Sequence, residues 1–208
     1  MEHDIDGWVN KAFLRCPCSF SNETQLTASQ RQPTTKTKHF KNEEAEILKS
    51  FISANRLWID FIPETSYIGE GAEQKIYEAT DPQHIIKLND TIFYESWLDY
   101  FHSLLLHNFF FPHLAYELIG FHYDEKLFAV VKQAYVKSTQ ATNLENVREF
   151  LAANGFIRTK INDYYNPQLG IILEDLHDEN VLTEEGVLQF IDTVFFLTPA
   201  FFDKTNDK

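Results

Sequence analysis

At Pro63 the spacing of the apolar residues changes period. Before it, Ala45, Ile47, Leu48, Phe51, Ile52 and Leu57 recur at intervals of three and four, the signature of a helix with one buried stripe. That helix is expected to begin near Asn42, with Glu43, Glu44 and Glu46 in a first turn whose dipole favours anions. After Pro63 the pattern alternates: Tyr67 and Ile68, then Gly69-Glu70-Gly71, then Lys75 to Ala79, which predicts a hairpin with a glycine-bearing turn. A third strand follows at Ile85-Ile86-Lys87-Leu88, then an apolar helix from Ile92 to His107 that Pro112 ends. Strands are expected at Ala115 to His122 and Leu127 to Val131 around the turn Asp124-Glu125, and a helix at Leu144 to Ala153 closing on Asn154-Gly155. Gly170 to Leu173, Asn180 to Leu182 and Val187 to Asp192 read as short strands. No internal repeat is visible. A chain alternating in this way must lay a sheet against a helical layer, so the fold class is α+β.

Charge narrows the function. A net charge of -13 argues against a nucleic-acid or anionic-membrane surface, because phosphate contacts need clustered Lys and Arg. No apolar run reaches the ~18 residues of a membrane span, and Met1 to Asn10 lacks the basic start and apolar core of a signal peptide. A cytoplasmic location is therefore expected. Cys16 and Cys18 are one residue apart, too close for an ordinary disulfide, and no second pair at zinc-ligand spacing accompanies them. They read as unpaired thiols. Residues 20 to 40 are polar and without periodicity and read as an extended or mobile connector.

The residues with chemical potential follow an order that phosphoryl transfer would use. Such a reaction needs a tight loop over the phosphates, a cation, a carboxylate at the acceptor hydroxyl and two groups on Mg²⁺. Gly69 and Gly71 fit the loop, although a hairpin turn without a ligand has the same composition. Lys87, in an apolar strand, must snorkel to solvent or find an anion. Glu95 and Asp99 lie four apart in the helix expected next, where either could hold Lys87, and Glu95 is preferred; solvated helix charges are the plain alternative. The densest segment is Glu174 to Leu182. A carboxylate at Asp175 is followed five residues later by the amide Asn180, then a strand, the turn Glu184-Glu185-Gly186, and a strand ending in Asp192. A hairpin of that length returns Asp192 beside the loop. His177 could orient the loop or satisfy a backbone carbonyl, and Tyr164-Tyr165-Asn166 reads as an aromatic turn rather than a substrate pocket.

Asp175-Leu176-His177-Asp178-Glu179-Asn180-Val181-Leu182 resembles the Asp-x-His-x-x-Asn-x-Leu loop of aminoglycoside-phosphotransferase-like kinases. From Trp58 to Leu197, with Tyr116 to Phe121 and the stretch Val131 to Val136, the chain resembles the compact kinase domain of polyvalent proteins from bacterial mobile elements. The resemblance implies a protein-kinase-like two-lobed fold with a truncated C-terminal lobe: an extension at 1–40, an N-terminal lobe at 41–136 and a minimal second lobe at 137–208. It implies ATP and Mg²⁺ as cofactors, Asp175 as base, Asn180 and Asp192 as magnesium ligands, and Lys87 as phosphate anchor. Adenine would lie against the backbone near Gln133 to Tyr135, between Ile68, Ile76 and Ile191. The partners implied are a nucleotide and an unknown protein or small-molecule acceptor. The chain departs from the pattern at Gln74, where a third loop glycine is expected, at Leu173-Glu174 before Asp175, at Thr193-Val194 after Asp192, and in the short tail beyond it. These departures motivate a second reading: a catalytically silent kinase-like module that binds nucleotide or a partner, or a structural adaptor of a mobile-element system.

Overall fold

The computed structural model describes residues 35–71 and 74–203. Cys16, Cys18, Met1 to Asn10 and the part of the expected connector up to residue 34 lie outside them. The chain divides into two compact units, one taking the chain up to Phe101 with Ala115–Tyr135, the other His102–Leu114 with Val136 onward.

In the first unit, helix α1 (Thr35–Asn55) starts well before Asn42, so residues 35–40 are helical and not part of an extended connector. Nothing in Thr35 to Lys41 breaks a helix, and a nucleated helix adds such residues readily. Its first turn holds no acid, which removes Glu43, Glu44 and Glu46 from the dipole role. Glu44 instead joins Leu48 and Ile52 on the buried face, at spacings of four, while Ile47 is exposed. The helix ends where Arg56 takes φ 58°, with Leu57 N–H donating to Ile52 O (3.0 Å) and Arg56 N–H to Ser53 O (3.3 Å), a Schellman arrangement.

Glu44 reaches the second helix of this unit, α2 (Trp97–Phe110): its Oε2 accepts the Trp97 N–H at 2.9 Å, capping the helix from outside. Its other oxygen is buried without a hydrogen-bond partner. Burial, resisted by the Trp97 hydrogen bond and reinforced by Asp99, pushes the carboxyl up to about 7, with Lys41 pulling it down. Ser96 completes the helix start, its Oγ accepting the Asp99 N–H (3.0 Å) and donating to Asp99 Oδ2 (2.7 Å). That serine N-cap corrects the expected start at Ile92: Glu95 lies before the helix and is exposed, and Asp99 faces Ser96. The helix also runs past His107 to Phe110.

Five antiparallel strands form the sheet of this unit: β1 (Tyr67–Glu70), β2 (Gln74–Glu78), β3 (His84–Asn89), β4 (Glu117–Asp124) and β5 (Lys126–Ala134), in the order β1-β2-β3-β5-β4. β4 begins at Glu117, two residues after the expected Ala115, and bulges between Leu118 and Gly120. One face carries Leu88, Phe128 and Val130 under Ile59, Ile62, Tyr77, Ile86 and Ile119. The other carries Phe121, which Trp97 and Phe101 of α2 approach at ring distances of 6.3 Å. The strap after α1 closes the β4 edge: Phe121 N–H donates to Leu57 O (2.9 Å) and Ile59 N–H to Phe121 O (2.7 Å). Gly120 makes this possible, since a Cβ there would sit 2.6 Å from Leu57 O.

In the second unit, helix α3 (Leu144–Ala153) starts on Asn143, whose side chain accepts the Glu145 N–H, and ends on Asn154-Gly155 as expected. A four-stranded sheet follows the order β11-β8-β7-β6, with β6 (Ile157–Arg158), β7 (Tyr164–Asn166), β8 (Ile171–Glu174) and β11 (Val194–Leu197). A separate hairpin pairs β9 (Val181–Glu184) with β10 (Val187–Phe190). β7 corrects the aromatic-turn reading: Tyr164 pairs with Leu173 and Arg158, and its alternate residues Tyr164 and Asn166 are buried. β11 went unpredicted because Val194 to Phe196 are all buried, so no alternation betrays a strand. Phe195 stacks on Phe110 (5.5 Å) and Phe190 on Phe111 (4.4 Å). The terminal helix α4 (Pro199–Asp203) passes so close to Gly170, at φ 71°, that a Cβ there would meet Phe201 N at 2.5 Å. Among the described residues no helix is long and apolar enough to cross a membrane.

Candidate functional site

Strand β8 delivers the chain into a loop whose first residue, Asp175, has φ 65°, a conformation that non-glycine residues seldom occupy. The loop holds it there from several directions. The Asp175 carbonyl accepts from His177 N–H (3.1 Å) and from Asn180 Nδ2 (2.9 Å), and its carboxylate Oδ2 accepts from the same Nδ2 (3.1 Å). His177 Nε2 lies 3.5 Å from the other carboxylate oxygen, while its Nδ1 accepts the Glu179 N–H (3.3 Å). His177 thus braces the loop backbone through an amide rather than the carbonyl expected, and faces the carboxylate. Leu176, 1% exposed, anchors the loop in the core.

Asn180, expected to open a strand, sits in the turn one residue before β9 begins, and its carbonyl accepts from Ile191 N–H (3.0 Å) and Asp192 N–H (3.2 Å). The β9–β10 register, Val181 opposite Phe190, is what returns Asp192 to Asn180 across twelve residues of chain. Asp192 lies in the bend between β10 and β11 rather than at a strand end. Asp175, Asn180 and Asp192 are therefore brought together within one unit. Loss of hydration in the loop raises the Asp175 carboxyl above the ordinary aspartate value. His177 opposes this, Asp192 adds to it, the Asn180 hydrogen bond opposes it and Asp163 adds again.

The bend after Asp192 is fixed by a buried histidine. His107, fully buried, directs Nε2 at Leu114 O (3.0 Å), so that nitrogen carries the proton and Nδ1 accepts from the Thr193 hydroxyl (2.7 Å). Ser103 Oγ accepts the Phe195 N–H at 3.0 Å. Sequence reasoning missed this lock, and it missed Asn162 and Asp163, which accept the Leu176 (3.0 Å) and Asp175 (3.3 Å) amides. Tertiary packing alone makes the His107 and Ser103 pairs neighbours, and the Asn162 and Asp163 pairs depend on the β7–β8 pairing, whose first strand reads from sequence as a turn.

The remaining predicted residues belong to the first unit. Lys87 lies in the interior strand β3, 2% exposed, with its ammonium 5.3 Å over the Tyr116 ring. Gly69, Ile76, Lys87 and Val131 are successive partners across β1, β2, β3 and β5, so the glycine strand and the lysine share one line of the sheet. A Cβ added to Gly69 or Gly71 would meet nothing within 4 Å, so the sheet itself requires glycine at neither position. Gly71 N–H donates to Gln74 O at 2.8 Å. Gln133 of β5, 1% exposed, pairs with Ile85 of β3. Tyr135 is exposed, and its N–H donates to Gln83 O (2.8 Å).

The donor set of the Asp175 loop suits a hard cation. Asn180 spends its Nδ2 on Asp175, which leaves its Oδ1 as an acceptor, and the Asp192 carboxylate is close enough to Asp175 to strengthen its hold on a proton. Two protein oxygens are the usual share for Mg²⁺, which keeps waters and phosphate oxygens as its other ligands. Among the described residues no group of three or more His, Cys, Asp or Glu side chains is arranged to hold a metal. No curated protein and no solved structure gives a significant match to the chain. Residues 41–199 match the model of the serine/threonine/tyrosine kinase found in polyvalent proteins. That match spans more than half of the chain, includes both the Lys87 strand and the Asp175 loop, and establishes that the chain belongs to this kinase family.

Proposed function

We propose that the chain is a Mg-ATP-dependent phosphotransferase that uses Asp175 as its base. The observation that carries the reading is the linked trio: one Asn180 side chain bonded to the Asp175 carboxylate at 3.1 Å, and one Asn180 carbonyl bonded to the Asp192 amide at 3.2 Å. In this reading Asp175 Oδ1 or Oδ2 accepts the proton of the acceptor hydroxyl as its oxygen bonds to the γ-phosphorus, while the bond from that phosphorus to the β–γ bridging oxygen breaks and ADP leaves. Its raised affinity for protons supports that role. Asn180 Oδ1 and Asp192 would hold Mg²⁺, which when bound offsets negative charge on the transferring phosphoryl group. Lys87 would neutralise nucleotide phosphates with Glu95 as its support, the backbone of Gly69 and Gly71 would approach them, and the stretch Gln133 to Tyr135 would face the base. A chain of net charge -13 needs such local cations to admit a polyphosphate.

The test is thermal. ATP raises the melting temperature only with Mg²⁺ present, and radiolabel from γ-labelled ATP passes to water, to the chain or to an acceptor mixture; Asp192→Ala loses both effects. Mg-dependent stabilisation without any transfer assigns the chain to nucleotide or partner binding instead. No shift with ATP or GTP at millimolar concentration overturns both.

A further inference from the structure

Asp175 is held in its left-handed conformation by its own loop and by one segment outside it. Two consecutive amides at the start of the loop point back to β7 and the residues before it: Asp175 N–H to Asp163 Oδ1 (3.3 Å) and Leu176 N–H to Asn162 O (3.0 Å). Asp163 is itself fixed by the hairpin. Its backbone oxygen accepts the Thr159 N–H (2.9 Å), the Thr159 hydroxyl (3.1 Å) and the Lys160 N–H (3.3 Å), while Arg158 Nε donates to Lys160 O (2.9 Å) and Ile161 O (3.0 Å). The hairpin loop is thereby closed on itself, and the Asp163 carboxylate is left to reach across to Asp175. The loop's internal bonds, from His177 and Asn180, all fall on the carbonyl and carboxylate of Asp175; its amide is held by Asp163. A peptide unit in a sparsely populated conformation persists when contacts on both sides determine it.

We propose that Asp163 is a positioning residue for Asp175: its carboxylate oxygen, accepting the Asp175 amide, sets the direction in which the Asp175 side chain leaves the loop. The inference rests on the phosphotransferase reading for its consequence and on the hairpin for its geometry, and the two are tested apart. Asp163→Ala removes the acceptor; Asp163→Asn keeps Oδ1 and removes the charge.

In the nucleotide-free protein, amide hydrogen exchange followed by NMR reports the bond directly. Asp163→Ala speeds exchange at Asp175 by about tenfold or more while the β8 amides stay protected, and Asp163→Asn stays near wild type. Equal protection at Asp175 in wild type and Asp163→Ala overturns the proposal whatever the chain catalyses. In the transfer assay, Asp163→Ala lowers kcat by about tenfold or more with the KM for ATP within about twofold, and Asp163→Asn recovers most of the loss. A loss shared equally by Asn and Ala, or one confined to KM, sinks the positioning role. A wild-type chain that transfers no phosphate sinks the enzymatic reading and leaves the exchange result to decide the geometry.

Discussion

Asp175 carries two burdens at once, an unusual backbone angle and a carboxylate crowded by Asp192 and Asp163. The crowding has a sign. A carboxyl that binds protons more tightly when folded contributes fully below its unfolded pKa and loses that contribution as pH rises through the folded one. Asp175→Asn, which keeps the shape and tolerates the left-handed angle, is therefore expected to melt higher than wild type at pH 8. The gain disappears near about pH 3, where the wild-type carboxyl is protonated. The same substitution lowers phosphoryl transfer by roughly 10²- to 10⁴-fold, the range for losing a general base. Scanning calorimetry across pH and the transfer assay check the two halves separately. At this scale the sequence was informative where spacing along the chain reflects a closed loop. Asp175, Asn180 and Asp192 were legible because five residues of loop and one hairpin fix their separation. His107 was not, since it meets Thr193 only through packing between distant segments, and Asp163 was not, because β7, whose pairing with β8 brings it to Asp175, read as an aromatic turn.

Among the elements, α1 shows how a polar residue can be written into an apolar stripe. Read by hydropathy, Ile47 belongs to the core and Glu44 to the surface; the fold reverses them because Trp97 needs an acceptor for the first amide of α2. The consequence is a pH-dependent helix contact. Glu44 binds its proton more tightly in the folded state, at about 7 against 4.5 for the free side chain, so its contribution is complete below about pH 4.5 and lost as pH rises through 7. Glu44→Gln is expected to stabilise the protein by roughly 1–3 kcal/mol at pH 8 and by nothing at pH 4, as denaturant unfolding at the two pH values would read. The start of α2 teaches the same lesson at another element. Apolar periodicity runs back to Ile92, but the Ser96 hydroxyl, bonded to both the amide and the carboxylate of Asp99, caps a helix that begins at Trp97 and leaves Glu95 outside. Strand β11 was hidden for the opposite reason, its residues being apolar on both faces.

For the molecule as a whole, the α+β class followed from the change of period at Pro63, whereas the sharing of α2 between the two units did not. Helix α2 contributes Trp97–Phe101 to one unit and its remaining turns to the other, and no break in its sequence marks the change. Net charge acts at this scale too. With -13 distributed over 208 residues, self-repulsion opposes compaction, so raising NaCl from about 10 mM to about 150 mM at pH 8 is expected to raise the melting temperature. An unchanged or lower value would show that the ion pairs lost to screening, such as Lys132–Glu117 at 3.0 Å, outweigh the repulsion relieved. The strap along β4 has a further consequence for concentrated solutions. Its bonds from Leu57 and Ile59 occupy the groups of Phe121 through which a neighbouring chain would add a strand. Polymerisation through that edge must wait for the strap to peel away, which makes its rate follow local unfolding rather than collision frequency.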